Sequence, residues 1–217
     1  MAMTLFKTTE VPTVPLTRSD EFKVVGSTES LGYNQPQAAG RKLWLPMFLM
    51  ALMGFAVAFI LGVVEANTDR ADVADLQTLR QLVPAFMWIG FLGVFSAITF
   101  TVARILGAFR KGGGEVQETA GSEVETLKMP GTGKAMLGFM MMGMMTMAIG
   151  IVGHFVGAGF DPGLGDEQNF MVFTGFRRVG VAFYLTGIAL GLSTIITVLR
   201  FQATRIREVA AAHGHQH

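Results

Sequence analysis

The chain has 217 residues, of which 51% are hydrophobic and only 15% are charged, whereas an average soluble domain has roughly 25% charged residues. With a mean hydropathy of +0.46, this composition favours an integral membrane protein over a soluble one. The net charge of +1 gives no bias toward nucleic acid, so we expect no nucleic-acid partner. The absence of cysteine excludes disulfides, iron–sulfur clusters, thiolate zinc sites and cysteine nucleophiles.

Residues 1–43 form a polar segment with three prolines and scattered charges. Such a composition is typical of an extended or disordered tail. An apolar signal-peptide core is missing from this segment, and the first apolar run begins at Trp44. We therefore predict a polar N-terminal tail on the cytoplasmic side, followed by a membrane domain at residues 44–200.

Four apolar segments in that domain are long enough to cross a hydrocarbon core of about 30 Å as a helix. The predicted spans are 44–64, 83–103, 135–156 and 179–199. The predicted fold is all-α, an integral membrane bundle of four transmembrane helices, with a cytoplasmic C-terminal tail at 201–217. Neither Asp nor Glu falls inside a span, which argues against a self-sufficient pump or ion-coupled transporter.

The connections between spans have different compositions. Apolar residues at helical spacing before Pro84 indicate an amphipathic lead-in at the membrane surface, and Pro84 itself suits the first turn of a new helix. Residues 110–134, with a glycine triplet and four glutamates, predict a solvated loop that follows a helix ending by Phe109.

The last connection is rich in glycine and acidic residues. We expect Arg177 and Arg178 to lie in this outer loop, where they can pair with Asp161, Asp166 or Glu167.

Lys and Arg are distributed unevenly along the chain. Of the 17 such residues, thirteen fall in 1–43, 104–134 and 200–217, as five, five and three; the other four are Arg70, Arg80, Arg177 and Arg178. The positive-inside rule then places both termini in the cytoplasm. The expected location is the cytoplasmic membrane of a prokaryote, as a multi-pass protein.

The third span contains a methionine cluster. Met136, Met140 and Met144 recur every four residues, which predicts a shared helix face. Thioether sulfur is a soft ligand that suits Cu(I). A Met-x-x-x-Met pair on a membrane helix resembles a motif of the high-affinity copper-uptake trimers of eukaryotes. The resemblance is confined to this motif, because those proteins have fewer spans and a methionine-rich outer tail. Methionine also serves as a flexible gap-filler at helix contacts.

His154 is the one histidine inside a span, and ionisable residues at membrane depth are candidates for function. It can ligate copper or a haem, or it can form a hydrogen bond to a neighbouring helix. A second axial haem ligand would have to come from another span or subunit, since Met147 lies about 10.5 Å away along the same helix. The sequence does not decide whether copper or a haem is bound. Structural lipids are expected with or without such a cofactor.

Small residues recur on the third and fourth spans, where they allow helix backbones to approach closely. The candidates for such packing are Gly150, Gly153, Gly157, Gly187 and Gly191. The pattern does not separate contacts within the chain from contacts with another subunit.

Three hypotheses for function follow. The first is a non-catalytic membrane subunit that packs in and stabilises a larger complex, respiratory or otherwise redox-active; such a chain would not be an enzyme on its own. The second is a copper-handling protein that uses Met136, Met140, Met144 and His154. The third is a small channel or transporter built from several copies. The expected partners are membrane lipids, other membrane subunits or copies of the chain itself.

Overall fold

A computed structural model describes residues 22, 24–26, 33–69, 71–159 and 167–214 of the chain. The elements follow in the order β1 (Val24–Gly26), α1 (Gln35–Asn67), α2 (Val73–Thr119), β2 (Glu125–Leu127), α3 (Gly131–Gly159) and α4 (Glu167–Gly214). The two short strands pair antiparallel, with Val24 opposite Leu127. All remaining regular structure in the described residues is helical.

The prediction of four apolar helices is confirmed, because each of α1 to α4 is long and apolar enough to cross a membrane. The helices exceed the predicted spans at both ends. α2 has 47 residues and α4 has 48, so each is about 70 Å long at a rise of 1.5 Å per residue. That is more than twice the hydrocarbon thickness of about 30 Å, and both helices therefore extend well beyond their apolar segments.

The predicted loop at 110–134 is wrong for its first ten residues, because α2 continues through the glycine triplet to Thr119, and for its last four, because α3 begins at Gly131. The side chain of Gln202 on α4 packs directly against Gly113, and its Nε2 donates a hydrogen bond to the carbonyl oxygen of Phe109 at 3.3 Å. An ion pair between Lys111 and Glu115 adds i,i+4 support. Tertiary packing therefore outweighs the low helix propensity of glycine.

Two other boundaries also differ from the sequence prediction. α1 begins at Gln35 inside the predicted tail, where the Gln37 side chain accepts a hydrogen bond from the backbone N–H of Asn34 at 3.1 Å. Such a contact satisfies a backbone donor at the start of a helix. Pro84 lies inside α2 rather than in its first turn, because the amphipathic lead-in from Val73 is continuous with the span.

α1 and α2 form an antiparallel hairpin with small residues along its seam. A Cβ atom on Gly54 would lie 2.7 Å from the amide nitrogen of Gly90, and one on Gly93 would lie 2.7 Å from that of Ala51. At one end of the same seam, Gly107 lies against the ring of Tyr33. The two backbones thus touch over several turns, which only glycine and alanine permit.

α3 and α4 form a second antiparallel hairpin, in which large side chains of one helix lie over glycines of the other. Met136 contacts Gly191, Met140 contacts Gly187, and Met147 contacts Gly180. Elsewhere along the seam, large side chains of α4 lie over glycines of α3: Tyr184 lies over Gly143, Arg177 over Gly150 and Phe173 over Gly153. Over residues 133–150 of α3 and 177–194 of α4, the buried positions advance by alternating steps of three and four residues, the spacing of a heptad seam.

α2 joins the two hairpins, since it packs against α1, α3 and α4, whereas α1 packs mainly against α2. The starts of α1 and α3 and the ends of α2 and α4 lie at one end of the bundle, which we call the basic end. The basic residues of these segments gather there, in the stretches 41–42, 104–111, 128–134 and 200–207.

A buried amide ties the connecting strand to α2 and α4 at the basic end. The side chain of Gln117 donates to the carbonyl oxygen of Glu125 at 3.1 Å and accepts from its N–H at 2.8 Å. Arg205 on α4 reaches the same amide oxygen, at 3.3 Å from Nη2, and forms an ion pair with Glu125 at 3.2 Å. These contacts hold β2 against the ends of the two long helices.

Candidate functional site: a buried polar cluster

Met136 and Met140 are buried, but Met144 is 46% exposed, so the expected shared face of the three is wrong. Eight residues turn an α-helix about 80° past a full number of turns, whereas eleven turn it only about 20°. The third buried methionine is therefore Met147, which is fully enclosed.

The buried methionines Met136, Met140 and Met147 pack against glycines of α4. The sulfur of Met140 accepts a hydrogen bond from the hydroxyl of Thr99 on α2 at 2.7 Å. Met136 is separated from His154 by eighteen residues of α3, or about 27 Å along the axis. The four residues predicted as metal ligands therefore do not converge on one site within a single chain.

His154 is fully buried at the opposite end of the bundle from the basic end. Its Nδ1 lies 2.6 Å from Oε1 of Gln81 on α2, so the ring donates to the amide oxygen. The rings of Phe170 and Phe173 on α4 approach the imidazole edge-on, at centroid distances of 5.0 and 6.1 Å. The second ring nitrogen, Nε2, is buried without a hydrogen-bond partner.

Arg177 lies one turn along the α3–α4 seam from His154 and is only 3% exposed. The guanidinium carbon stands 5.0 Å from the ring centroid of Trp88 on α2 and 6.0 Å from that of Phe170. Nη2 donates to the hydroxyl of Thr174 at 2.7 Å, while Nε and Nη1 are buried without hydrogen-bond partners. Stacking over an indole face partly compensates a desolvated arginine.

The expected position of Arg177 in an outer loop is wrong, because α4 is continuous through it and buries it in the bundle. Asp161 and Asp166, two of the acids expected to pair with it, lie outside the described residues, as does the side chain of Glu167. In the part of the chain that the structure describes, no carboxylate forms an ion pair with Arg177.

The chemistry of this cluster, formed by Gln81, Trp88, His154 and Arg177, is that of a cationic, donor-rich site in an apolar core. His154 and Arg177 share contacts with Phe170, so a metal cation on Nε2 would be repelled by the nearby guanidinium. Among the described residues, no group of three or more His, Asp or Glu side chains could hold a metal ion. The direct contacts of the cluster link α2, α3 and α4.

The chain has no match among protein-family models, curated proteins or solved structures. Function is therefore inferred from the residues of the chain itself.

Four of the five glycines proposed for packing contact the chain's own helices. Gly150 and Gly153 lie against Arg177 and Phe173, while Gly187 and Gly191 lie against Met140 and Met136. Gly157 is buried on α3. Gly150, Gly153, Gly187 and Gly191 thus belong to the internal α3–α4 seam.

Gln81, Trp88 and Arg177 were missed as members of a site. A usable signal was present for Arg177: the buried glycines at 191, 187 and 180 step back along α4 by four and seven residues, and the next heptad step is 177. Such a step predicts a buried position whatever residue occupies it. Gln81 offered no comparable signal, because its burial depends on the continuation of α2 before Pro84.

Proposed function

We propose that the chain is a multi-pass protein of a prokaryotic cytoplasmic membrane, with both termini in the cytoplasm, and that it is a non-catalytic subunit of a larger membrane complex. Insertion is supported by four apolar helices whose large hydrophobic side chains are widely exposed on the outer surface. Orientation is supported by the gathering of basic residues at one end of the bundle.

The observation that carries the subunit proposal is an outward stripe on α3. Within the bundle, methionines of α3 pack on glycines of α4. The outer face of α3 also carries methionines, and in the described part of the chain these side chains are about half exposed or more. This outward methionine stripe consists of Gly138, Met141, Met142, Met145 and Ile149.

Two properties of the stripe favour a protein partner over lipid. Met141 and Met145 are 60% and 61% exposed, and methionine adapts its shape to varied helix surfaces. A Cβ on Gly138 would meet nothing within 4 Å, so a second helix can approach there closely. The outer face of α1, by contrast, carries mainly Leu, Phe, Ile and Val.

Purification of the tagged chain from its native membrane in mild detergent, followed by mass spectrometry, tests the proposal. We expect fixed partners in constant ratio with the wild-type chain. Met141→Trp with Met145→Trp should reduce partner recovery about tenfold or more, which corresponds to about 1.4 kcal/mol of lost binding free energy.

Leu49→Trp with Leu52→Trp on α1 is the matched control, because these side chains are also about half exposed. The control variant should retain its partners. Recovery of the chain only with copies of itself would contradict the subunit proposal and favour the oligomeric channel instead, whereas equal loss from both pairs would contradict the assignment of the partner surface to the stripe. Metal analysis of the same sample tests copper handling, for which near-stoichiometric copper is required.

Labelling of introduced cysteines tests insertion and sidedness, since the natural chain contains none. Glu118 at the basic end and Asp72 at the other end are both exposed. In intact cells we expect an impermeant maleimide to label Asp72→Cys and to leave Glu118→Cys unlabelled. The reverse pattern would contradict the proposed orientation, and labelling of both or neither would contradict a spanning arrangement.

A further inference from the structure

A cavity of about 170 Å³ lies at the basic end, in the wedge where the α1–α2 hairpin meets the α3–α4 hairpin. Its polar wall contains Asn34, Gln37 and Arg110, and its apolar wall contains Met136, Leu137 and Val198. The apolar wall leads inward, since Met136 is part of the buried core. The cavity is therefore polar at one side and apolar at the other.

Arg110 is the charged residue among the described lining of this cavity. Its Nε is buried without a hydrogen-bond partner, and in the described part of the chain its guanidinium forms no ion pair. A buried N–H donor of a charged group is costly to leave unsatisfied. An anionic group in the cavity would supply the counter-charge that the described residues do not give to this guanidinium.

The volume sets the size of a suitable ligand. An apolar cavity of about 150 Å³ admits a molecule as small as benzene, so this one has room for a slender segment such as part of one acyl chain. A large planar cofactor would not fit. The cavity also lies beside Gln37 at the start of α1, only a few residues before the uncharged stretch that begins after Lys42, which places it where the apolar part of the bundle ends.

We propose that this cavity binds an anionic phospholipid, with the phosphate at Arg110 and one acyl chain against Met136, Leu137 and Val198. Basic pockets between membrane helices on the cytoplasmic side recognise lipid headgroups in this way. The inference rests on the proposed membrane insertion but not on the proposed role as a subunit. The phosphate supplies the counter-charge for the guanidinium of Arg110, and the acyl chain lies against the apolar wall of the cavity.

Native mass spectrometry of the full chain, purified in detergent with equal amounts of phosphatidylglycerol, phosphatidylcholine and oleate, tests the proposal. The wild-type chain should retain one phosphatidylglycerol in preference to phosphatidylcholine by about fivefold, the effect of one arginine near a headgroup. Arg110→Gln should abolish the preference, and Arg110→Lys should restore part of it. Val198→Trp should fill the apolar side of the cavity and reduce retention of every lipid.

Arg200→Gln is the control, because Arg200 is an exposed cation of α4 at the same end and does not line the cavity. It should keep the wild-type preference. Loss of preference in this control, retention of oleate alone, or no retained lipid in the wild type would each overturn the proposal. If cysteine labelling shows a spanning arrangement while lipid retention fails, only the lipid site is refuted; failure of the labelling refutes the insertion on which it rests.

Discussion

The backbone of Gly54 on α1 lies directly against the backbone of Gly90 on α2. A Cβ atom on Gly54 would stand 2.7 Å from the amide nitrogen of Gly90 and 3.0 Å from its Cα. Neither neighbour is a flexible side chain, so a methyl group can be accommodated only if the two helices separate. The contact therefore sets the distance between α1 and the rest of the bundle.

Gly54→Ala should lower the free energy of unfolding by about 1–3 kcal/mol, the usual cost of overpacking a close contact. Gly62→Ala is the matched control on the same helix, where a Cβ would meet nothing within 4 Å. The control should be neutral or slightly stabilising, because alanine has the higher helix propensity. Equilibrium unfolding in mixed micelles measures both, and equal effects would show that the close contact is absent.

The hydrogen bond between His154 and Gln81 should appear as a coupling energy. In a double-mutant cycle with Gln81→Leu and His154→Phe, we expect about 0.6–1.7 kcal/mol, the range measured for interhelical hydrogen bonds in a membrane bundle. Gln81→Leu alone should cost about 1–3 kcal/mol, because it leaves a buried donor unsatisfied.

Thr186→Ala provides the comparison for this cycle, because Thr186 is exposed and, among the described residues, its hydroxyl donates to the carbonyl oxygen of Ala182 on its own helix. Its effect should add to that of Gln81→Leu without coupling. If the stability effects of Gln81→Leu and His154→Phe were also additive, the short contact between the two side chains would contribute nothing to stability.

The sequence predicts the apolar part of this fold well, because hydrophobicity and helical spacing are local properties. The uncharged run from Trp44 to Val64 indicates the first span by its length alone. Gly187 and Gly191 were assigned to helix packing for the same reason, and they lie over methionines of α3.

Features that depend on distant contacts were not predicted. The glycine triplet stays helical because Gln202, almost ninety residues later, packs against it. Arg177 was assigned to a loop because charge at a span edge usually marks the membrane boundary, whereas an indole on α2 holds it in the core. A spacing of four residues predicts that Met144 shares the face of Met136 and Met140, but the helix repeat of 3.6 residues turns it away from the buried side.

Arg177→Met should leave the free energy of unfolding unchanged or raise it. Removal of a buried charge in favour of an apolar side chain of similar length is often neutral or stabilising, and two nitrogens of this guanidinium have no hydrogen-bond partner. Arg177→Ala should instead destabilise by about 2–5 kcal/mol, because it leaves a cavity beside Trp88. If both variants lose the same stability, the charge itself contributes, and the guanidinium must have an anionic partner in the folded protein.

Arg205 should hold the connection between α2 and α3 against the basic end. Its guanidinium donates to Oε1 of Gln117, to the carbonyl oxygen of Glu123 and to the carboxylate of Glu208, and it forms an ion pair with Glu125. The arginine is largely enclosed, and its partners lie on α2, β2, α4 and the segment just before β2. Arg205→Met therefore removes several contacts at once, including those to the amide oxygen of Gln117.

We expect Arg205→Met to raise the rate of trypsin cleavage after Lys128 several-fold in detergent, with little change in the overall unfolding transition, because only local opening is affected. Arg207→Met is the control, since that residue is exposed and forms no ion pair among the described residues; it should leave cleavage at Lys128 unchanged. Equal cleavage rates in the two variants would show that the connection is held by the pairing of β2 with β1 and not by the arginine.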